Sequence, residues 1–198
     1  MVSSESTAGR STHPDSPRGA KLTRALLLLA AGLVIAFTAT MHEQVGFDRA
    51  IVGISLGAIA AAHLHAWIVA GSGRRDAVTL LLALAALVSA LMLTTLQTPI
   101  AFAVLVAAWA LCSGVLEFLG TTLQLRDRRD SILMGATGLL LALLVILVRE
   151  DQVAVVGFFG AYGIVAGVFL GISAFDGRAV RAEQRADEAI DPAAAPQS

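Results

Sequence analysis

Charged residues are almost absent from five apolar stretches that together make up most of the chain. The stretches are Ala25–Met41, Ala50–Gly73, Ala77–Leu125, Ser131–Val148 and Gln152–Phe175. Between them they contain a single Asp, Glu, Lys or Arg, which is Glu117. A helix needs about 20 apolar residues to cross the roughly 30 Å of hydrocarbon in a bilayer. The pattern therefore predicts helices that cross a membrane.

The third stretch is about twice as long as a single crossing requires. It carries Gln97-Thr98-Pro99 near its middle, a combination typical of a tight turn. We therefore predict two helices there and one in each of the other four stretches. The predicted fold is all-α, a polytopic membrane bundle of six transmembrane helices.

Composition narrows the class of protein further. Of the residues, 57% are hydrophobic, above the roughly 45–50% of a typical soluble domain. The net charge of −1 leaves no basic surface to neutralise the phosphates of a nucleic acid. Because the predicted helices cross a membrane, the predicted partner is the lipid bilayer. The only cysteine, Cys112, excludes a disulfide framework. The sequence predicts no cofactor and no metal.

The two ends of the chain are polar and lie outside the predicted bundle. Residues 1–20 are rich in Ser, Thr, Pro and Gly, which predicts a disordered tail. The membrane domain is assigned to residues 21–178, and residues 179–198 to a polar, largely disordered tail. Cationic residues at helical spacing after Phe175 indicate that the sixth helix continues a few turns before Pro192. The first helix fits a signal anchor better than a cleavable signal peptide, because its polar leader is long and contains acids.

The cations are distributed unevenly between the two predicted sides of the membrane. Lys and Arg accumulate in cytoplasmic loops. One side has only Arg49 and Arg149, while the other has 12 of the 14 cations. We therefore expect a multi-pass protein of the cell (inner or plasma) membrane with both termini in the cytoplasm.

The chain also contains an internal repeat. The triplet Arg74-Arg75-Asp76 recurs as Arg128-Arg129-Asp130, and Ala107–Val115 aligns with Gly160–Val168 so that an aromatic residue, a glycine and a valine stay in register. A more diverged first unit begins at Lys21. The prediction is three helical hairpins in tandem, at about residues 21–73, 74–127 and 128–178.

These residues carry a family resemblance. The segment Ala107–Arg126, with a Trp-x₄-Gly spacing and Glu117 three residues after the glycine, resembles the hairpin repeat of the HdeD family of bacterial six-helix membrane proteins. Gly160–Arg178 resembles the last repeat of that family. This chain differs in its outward turns, where only Pro99 remains of the family's frequent Trp-Pro-Gly turn. The resemblance implies a non-enzymatic membrane protein with a role in acid or general stress tolerance.

A small-molecule or ion transporter or channel component is the alternative function. Transport sites usually need several polar groups at mid-depth and interrupted helices, and the sequence offers one buried acid and no broken helix. A membrane enzyme would need a nucleophile, a base or a metal set, and none is visible.

Glycines recur at four-residue spacing on several helices. Small residues let helices in lipid approach closely. One interpretation of these stripes is a homo-oligomer, and the other is packing within one chain. The candidate packing residues are Gly53, Gly57, Gly114, Gly163, Gly167 and Gly171.

Three ionisable residues are candidates for a response to protons. Glu117 lies near the end of the fourth helix, and His63 and His65 lie at a similar depth in the second. The two histidines are about 200° apart around the helix, so they cannot jointly bind one metal. His63 and Glu117 are separated by the same interval as the two Arg-Arg-Asp triplets. One hypothesis is that they meet and respond to acid; the other is a Glu117 near the interface and a His63 that faces headgroups or a carbonyl.

Overall fold

A computed structural model describes residues 18–41, 45–70, 76–96, 98–123 and 128–190 of the chain. The predicted tails before residue 18 and after residue 190 lie outside the described residues, as do Arg74, Arg75 and Gln97. Within the described ranges the protein is all-helical, as predicted. The helices are α1 (Arg18–Phe37), α2 (Val45–Val69), α3 (Ala77–Met92), α4 (Pro99–Thr122), α5 (Arg128–Leu147) and α6 (Gln152–Ile190), with a short 3-10 helix at Ala39–Met41.

Five of these helices are long and apolar enough to cross a membrane. The segments that meet both criteria are Gly19–Phe37, Gly46–Val69, Pro99–Thr122, Arg128–Leu147 and Gln152–Phe175. The remaining helix, α3, is apolar but has only 16 residues, which corresponds to about 24 Å. Helix α6 continues beyond its apolar part to Ile190, so the boundary predicted at residue 179 lies inside a helix.

The break in the third apolar stretch lies where the sequence predicted it. Thr98 has an extended backbone, and its side-chain oxygen accepts a hydrogen bond of 3.2 Å from the backbone N–H of Ala101. Pro99 follows in the first turn of α4, where its missing N–H costs nothing. A capping threonine followed by proline therefore starts a new helix at this position.

Three helices begin earlier than their apolar stretches. Helix α1 includes Lys21 and Arg24, α2 includes Asp48 and Arg49, and α5 includes Asp130. The described helices therefore contain charged residues in addition to Glu117. Four of these five residues have partners on other helices, and Arg49 donates to the carbonyl of Leu96 in the turn after α3.

Consecutive helices run antiparallel and close into a ring. We call the end at which α1, α3 and α5 begin the proximal end, and the opposite end the distal end. The most extensive contacts join α1 to α6, α2 to α3 and α4 to α5, whereas α1 with α2, α3 with α4 and α5 with α6 pack less extensively. Helix α6 also contacts α2 and α4 across the interior.

Glycines create the closest approach between α6 and α1. A Cβ atom on Gly167 would lie 2.6 Å from the backbone nitrogen of Leu29, and one on Gly163 would lie 2.8 Å from the carbonyl oxygen of Leu28. Neither backbone atom can move aside without shifting the helix. The α1–α6 contact therefore depends on the absence of side chains at these positions.

The other candidate glycines divide into two groups. A Cβ on Gly114 of α4 would lie 2.9 Å from the carbonyl oxygen of Gly135 on α5, and one on Gly53 would lie 3.9 Å from that of Ala90 on α3. Added Cβ atoms on Gly57 and Gly171 would meet nothing within 4 Å. Four of the six candidates thus face a neighbouring helix of the same chain, and homo-oligomerisation stays a prediction.

The interior between the two ends is apolar. Its largest buried side chains include Leu56, Phe102, Val106, Val155 and Phe159. The outer surface is apolar as well, with many leucine, isoleucine and valine side chains exposed on every described helix. An apolar surface of this extent is not tolerated in water, and it suits a protein surrounded by lipid.

Candidate functional site at the proximal end

Two cations near the start of α1 point across the bundle to two carboxylates. Lys21 and Arg24 are three residues apart, which places them on one face of the helix. Arg24 Nη2 lies 2.7 Å from Glu117 Oε1 on α4. Lys21 Nζ lies 2.9 Å from Asp130 Oδ2 on α5. The start of α1 is therefore tied to both helices by ion pairs.

The two ion pairs are withdrawn from solvent to different degrees. The side chain of Glu117 is 3% exposed and that of Arg24 is 16% exposed, whereas Lys21 and Asp130 are 17% and 12% exposed. The Ser173 hydroxyl on α6 donates a further hydrogen bond of 2.6 Å to Asp130 Oδ1. Burial of charge is costly, and pairing with good geometry offsets that cost.

A small cavity connects these groups. It is lined by Lys21, Arg24, Glu117 and Asp130, and also by His63 of α2. We call these five residues the proximal cluster. The cavity has a volume of about 60 Å³, and its walls include apolar side chains of Ala62, Ala66, Met134 and Leu170. Five ionisable side chains from four helices therefore line one partly open cavity.

Of the three ionisable candidates from the sequence, two line this cavity and one does not. Glu117 and His63 line the same cavity, and the His63 side chain is buried. His65 is exposed and is not among the residues that line the cavity. The direct partner of Glu117 is Arg24, at 2.7 Å. A contact between Glu117 and His63 stays a prediction.

Sequence reasoning missed Lys21, Arg24, Asp130 and Ser173 as members of the site. In the sequence, Lys21 and Arg24 count only among the cations on the predicted cytoplasmic side, and Asp130 only as part of the repeated Arg-Arg-Asp triplet. One signal could have revealed Lys21 and Arg24, because the first apolar stretch is shorter than a crossing requires. The helix must therefore begin earlier and carry both cations into the bundle.

An aromatic group lies on the inner side of the cluster. Trp109 is buried in α4, about two turns before Glu117. Its ring centroid lies 5.6 Å from that of Phe159 and 5.9 Å from that of Tyr162, the latter in an edge-on geometry. Tyr162 is also within electrostatic range of Arg24. These rings separate the cluster from the apolar interior.

The distal end contains charged residues in a different arrangement. Asp48, in the first turn of α2, is fully buried, and its Oδ2 accepts a hydrogen bond of 2.7 Å from Gln152 Nε2 on α6. Arg49 Nη1 donates to the backbone carbonyl of Leu96 at 2.6 Å. These contacts join a charged group to a neutral partner.

No group of three or more His, Cys, Asp or Glu side chains positioned to hold a metal occurs among the described residues. Comparison with known proteins gives no relative, since no family model, curated protein or solved structure matches this chain. The resemblance to the HdeD family therefore stays a prediction, and function has to be inferred from the proximal cluster and the fold.

Proposed function

We propose that this chain is a non-enzymatic, six-span protein of the cell membrane, similar to the HdeD family, that contributes to tolerance of acid or general stress. Both termini lie in the cytoplasm, and the proximal end faces the cytoplasm. The proximal cluster is the element that responds when the cytoplasm becomes acidic.

Inclusion of α3 as the sixth crossing is supported by its surroundings. It packs extensively against α2 and is followed, after a turn at residues 93–95, by the antiparallel helix α4. Asp76 caps its proximal end by accepting hydrogen bonds from the backbone and side chain of Thr79. A helix shorter than the hydrocarbon thickness is accommodated by local thinning of the bilayer. Six crossings return both termini to the same side.

The tandem-hairpin organisation is supported by the order of contacts around the ring. If the units are α1–α2, α3–α4 and α5–α6, each extensive interface joins the second helix of one unit to the first helix of the next. The α6–α1 interface closes the ring in the same way. Three equivalent interfaces are expected when three similar units assemble around a common axis.

The observation that carries the acid response is the sharing of one cavity by two carboxylates, two cations and a histidine. Protonation of either carboxylate removes the attraction that offsets the burial of Lys21 or Arg24. Acidification therefore changes how tightly α1 is held against α4 and α5. A histidine in the same cavity adds a group that can titrate between about pH 5 and 8.

The role in stress tolerance is tested by survival of a deletion strain after acid challenge. We expect survival to fall on deletion and to return with the wild-type gene. Glu117→Gln should fail to restore it fully, while Glu150→Gln, a change at an exposed acid, should restore it. Membrane levels of each variant must be equal. A deletion strain that survives acid as well as its parent would contradict the proposed role.

The orientation is tested by labelling introduced cysteines with an impermeant reagent in intact cells. In a Cys112→Ala background, a cysteine at Glu150 should be labelled and one at Arg129 should be protected. Both native side chains are exposed, so the difference reports the side of the membrane. The reverse pattern would overturn the topology.

A transporter or channel component is the second candidate, and one observation favours it. The proximal cavity gathers several ionisable groups, whereas the sequence interpretation counted a single buried acid. Against continuous passage, large apolar side chains such as Leu56, Phe102 and Val155 fill the interior beyond the cluster. A flux assay in proteoliposomes distinguishes the two candidates, because the stress protein we propose gives no flux above empty vesicles.

A further inference from the structure

We propose that the proximal cavity binds a small monovalent anion, such as chloride or a short carboxylate, when Glu117 or Asp130 becomes protonated. This inference rests on the proposed function in one respect, since it requires the proximal cluster to take up protons. It adds a ligand to that cluster and couples the uptake of a proton to the uptake of an anion.

Charge balance is the first reason. Lys21 and Arg24 are paired with Asp130 and Glu117, so the two pairs together are neutral. Arginine stays protonated at all accessible pH values. When Glu117 gains a proton, the partly buried Arg24 side chain loses its ion-pair partner, and a desolvated charge without such a partner is unfavourable. One anion that enters with one proton restores neutrality.

An unused hydrogen-bond donor is the second reason. Arg24 donates a hydrogen bond from Nη2 to Glu117, but its Nε is buried and has no hydrogen-bond partner among the described residues. Arginine carries five N–H donors in a fixed fork, and its side chain lines the cavity. The Lys21 ammonium lines the same cavity. The donors needed to hold an anion are therefore already in place.

The size of the cavity limits what can bind. A volume of about 60 Å³ accommodates a few water molecules, well below the roughly 300–1,000 Å³ of typical small-molecule pockets. Alanine and leucine side chains form part of the wall. A monoatomic anion, or an anion with a few heavy atoms, fits these dimensions. A doubly charged anion carries more negative charge than the single charge that is neutralised when one carboxylate takes up a proton.

The charge that an anion would meet comes from several of the helices around Glu117. Helix α1 presents Lys21 and Arg24, α2 presents His63, α5 presents Asp130, and Tyr162 of α6 lies within electrostatic range. Helix α3 has Asp76 at this end, bonded to Thr79 and outside the cavity lining. Arg128 and Arg129 of α5 are exposed. Protonation of His63 would add further positive charge and favour the anion.

The experiment measures equilibrium binding of radiolabelled chloride to the purified full-length protein in nanodiscs of zwitterionic lipid. We expect the wild type to bind roughly tenfold more tightly at about pH 3 than at about pH 7, within the usual range of coupled binding. Glu117→Gln, which imitates the protonated carboxylate, should bind at the higher pH as tightly as the wild type does at the lower pH. Formate and acetate should compete with chloride, and sulfate should not.

Two controls separate the site from the bulk charge of the protein. Glu150→Gln removes one exposed acid and should bind chloride like the wild type. Arg24→Gln/Glu117→Gln should lose binding at both pH values. If that double variant does not fold, Asp130→Asn provides a second test, because it should also bind chloride at the higher pH.

The outcomes distinguish this inference from the proposed function. Absence of chloride binding by Glu117→Gln and Asp130→Asn, combined with pH-dependent unfolding of the wild type in chloride-free buffer, would overturn the anion site and leave the proton response intact. Chloride binding by Glu117→Gln, combined with equal wild-type binding at both pH values, would show that the cluster does not take up protons in this range. That result would overturn the coupling and the acid response together.

Discussion

The two ends of the bundle hold their charged residues in different ways. At the proximal end, Arg24 and Lys21 are paired with the carboxylates of Glu117 and Asp130 around a cavity. At the distal end, the Asp48 carboxylate accepts from the neutral amide of Gln152. Protonation of a proximal carboxylate abolishes an ion pair between two helices, whereas the described contact between Asp48 and Gln152 joins a carboxylate to a neutral amide. Sensitivity to acid should therefore be concentrated at the proximal end.

The largest expected effect comes from breaking one proximal ion pair. Glu117→Leu leaves the Arg24 guanidinium buried without its carboxylate, and we expect a loss of about 3–5 kcal/mol in the free energy of unfolding. Replacing both partners, in Arg24→Met/Glu117→Leu, should recover most of that loss because no buried charge remains. The measurement is reversible unfolding in mixed micelles. Equal stability of the single variant and the wild type would mean that the pair contributes nothing.

A smaller loss is expected at the glycine contact between α1 and α6. Gly167→Ala places a methyl group 2.6 Å from the backbone nitrogen of Leu29, and overpacking of this kind costs about 1–3 kcal/mol. Gly171→Ala, one turn later on the same helix, meets nothing within 4 Å and should be neutral or stabilising by up to about 1 kcal/mol. Thermal unfolding of both variants checks the difference. A similar loss in both would show that α6 does not pack on α1 as described.

The smallest effect is expected at the distal end. Gln152→Leu removes the amide that donates to Asp48 and should cost about 1 kcal/mol, the usual contribution of one hydrogen bond. Val153→Leu, at an exposed position next to it, should stay within about 0.5 kcal/mol of the wild type. The same unfolding assay compares these variants with Glu117→Leu. If Gln152→Leu lowered the free energy of unfolding as much as Glu117→Leu does, the result would contradict the difference between the two ends.

The fold was largely accessible from the sequence because the hydrophobic pattern is strong. It predicted the helices and the break before Pro99, and α3 shows its limit, since that helix is shorter than a crossing requires. Helices α1, α2 and α5 begin before the apolar stretches in which they were predicted. Hydropathy predicts that charged residues are excluded from a helix in lipid. It does not account for the partners that Lys21 and Asp48 have on other helices.

Only part of the candidate site could be predicted from the sequence. The repeat interval placed His63 and Glu117 at equivalent depths, and both line the proximal cavity. The pair between Arg24 and Glu117 depends on closure of the ring, which places α4 opposite α1. That contact joins residues far apart in the chain and in different repeats, so no local pattern reveals it.

The proton response of the proximal cluster is tested most directly by thermal unfolding of the protein in nanodiscs between about pH 7 and pH 3, the range in which ion-paired carboxylates take up protons. Both proximal carboxylates are ion-paired when charged, so the folded state loses these contacts as protons bind, and stability should decrease as the pH decreases. We predict that the wild-type Tm falls by about 4–8 °C, which corresponds to about 2 kcal/mol for a protein of this size. We predict that Glu117→Gln/Asp130→Asn, which has no titrating carboxylate in the cavity, changes much less over the same range. An equal decrease in the wild type and the double variant would contradict a proton response located in the proximal cluster.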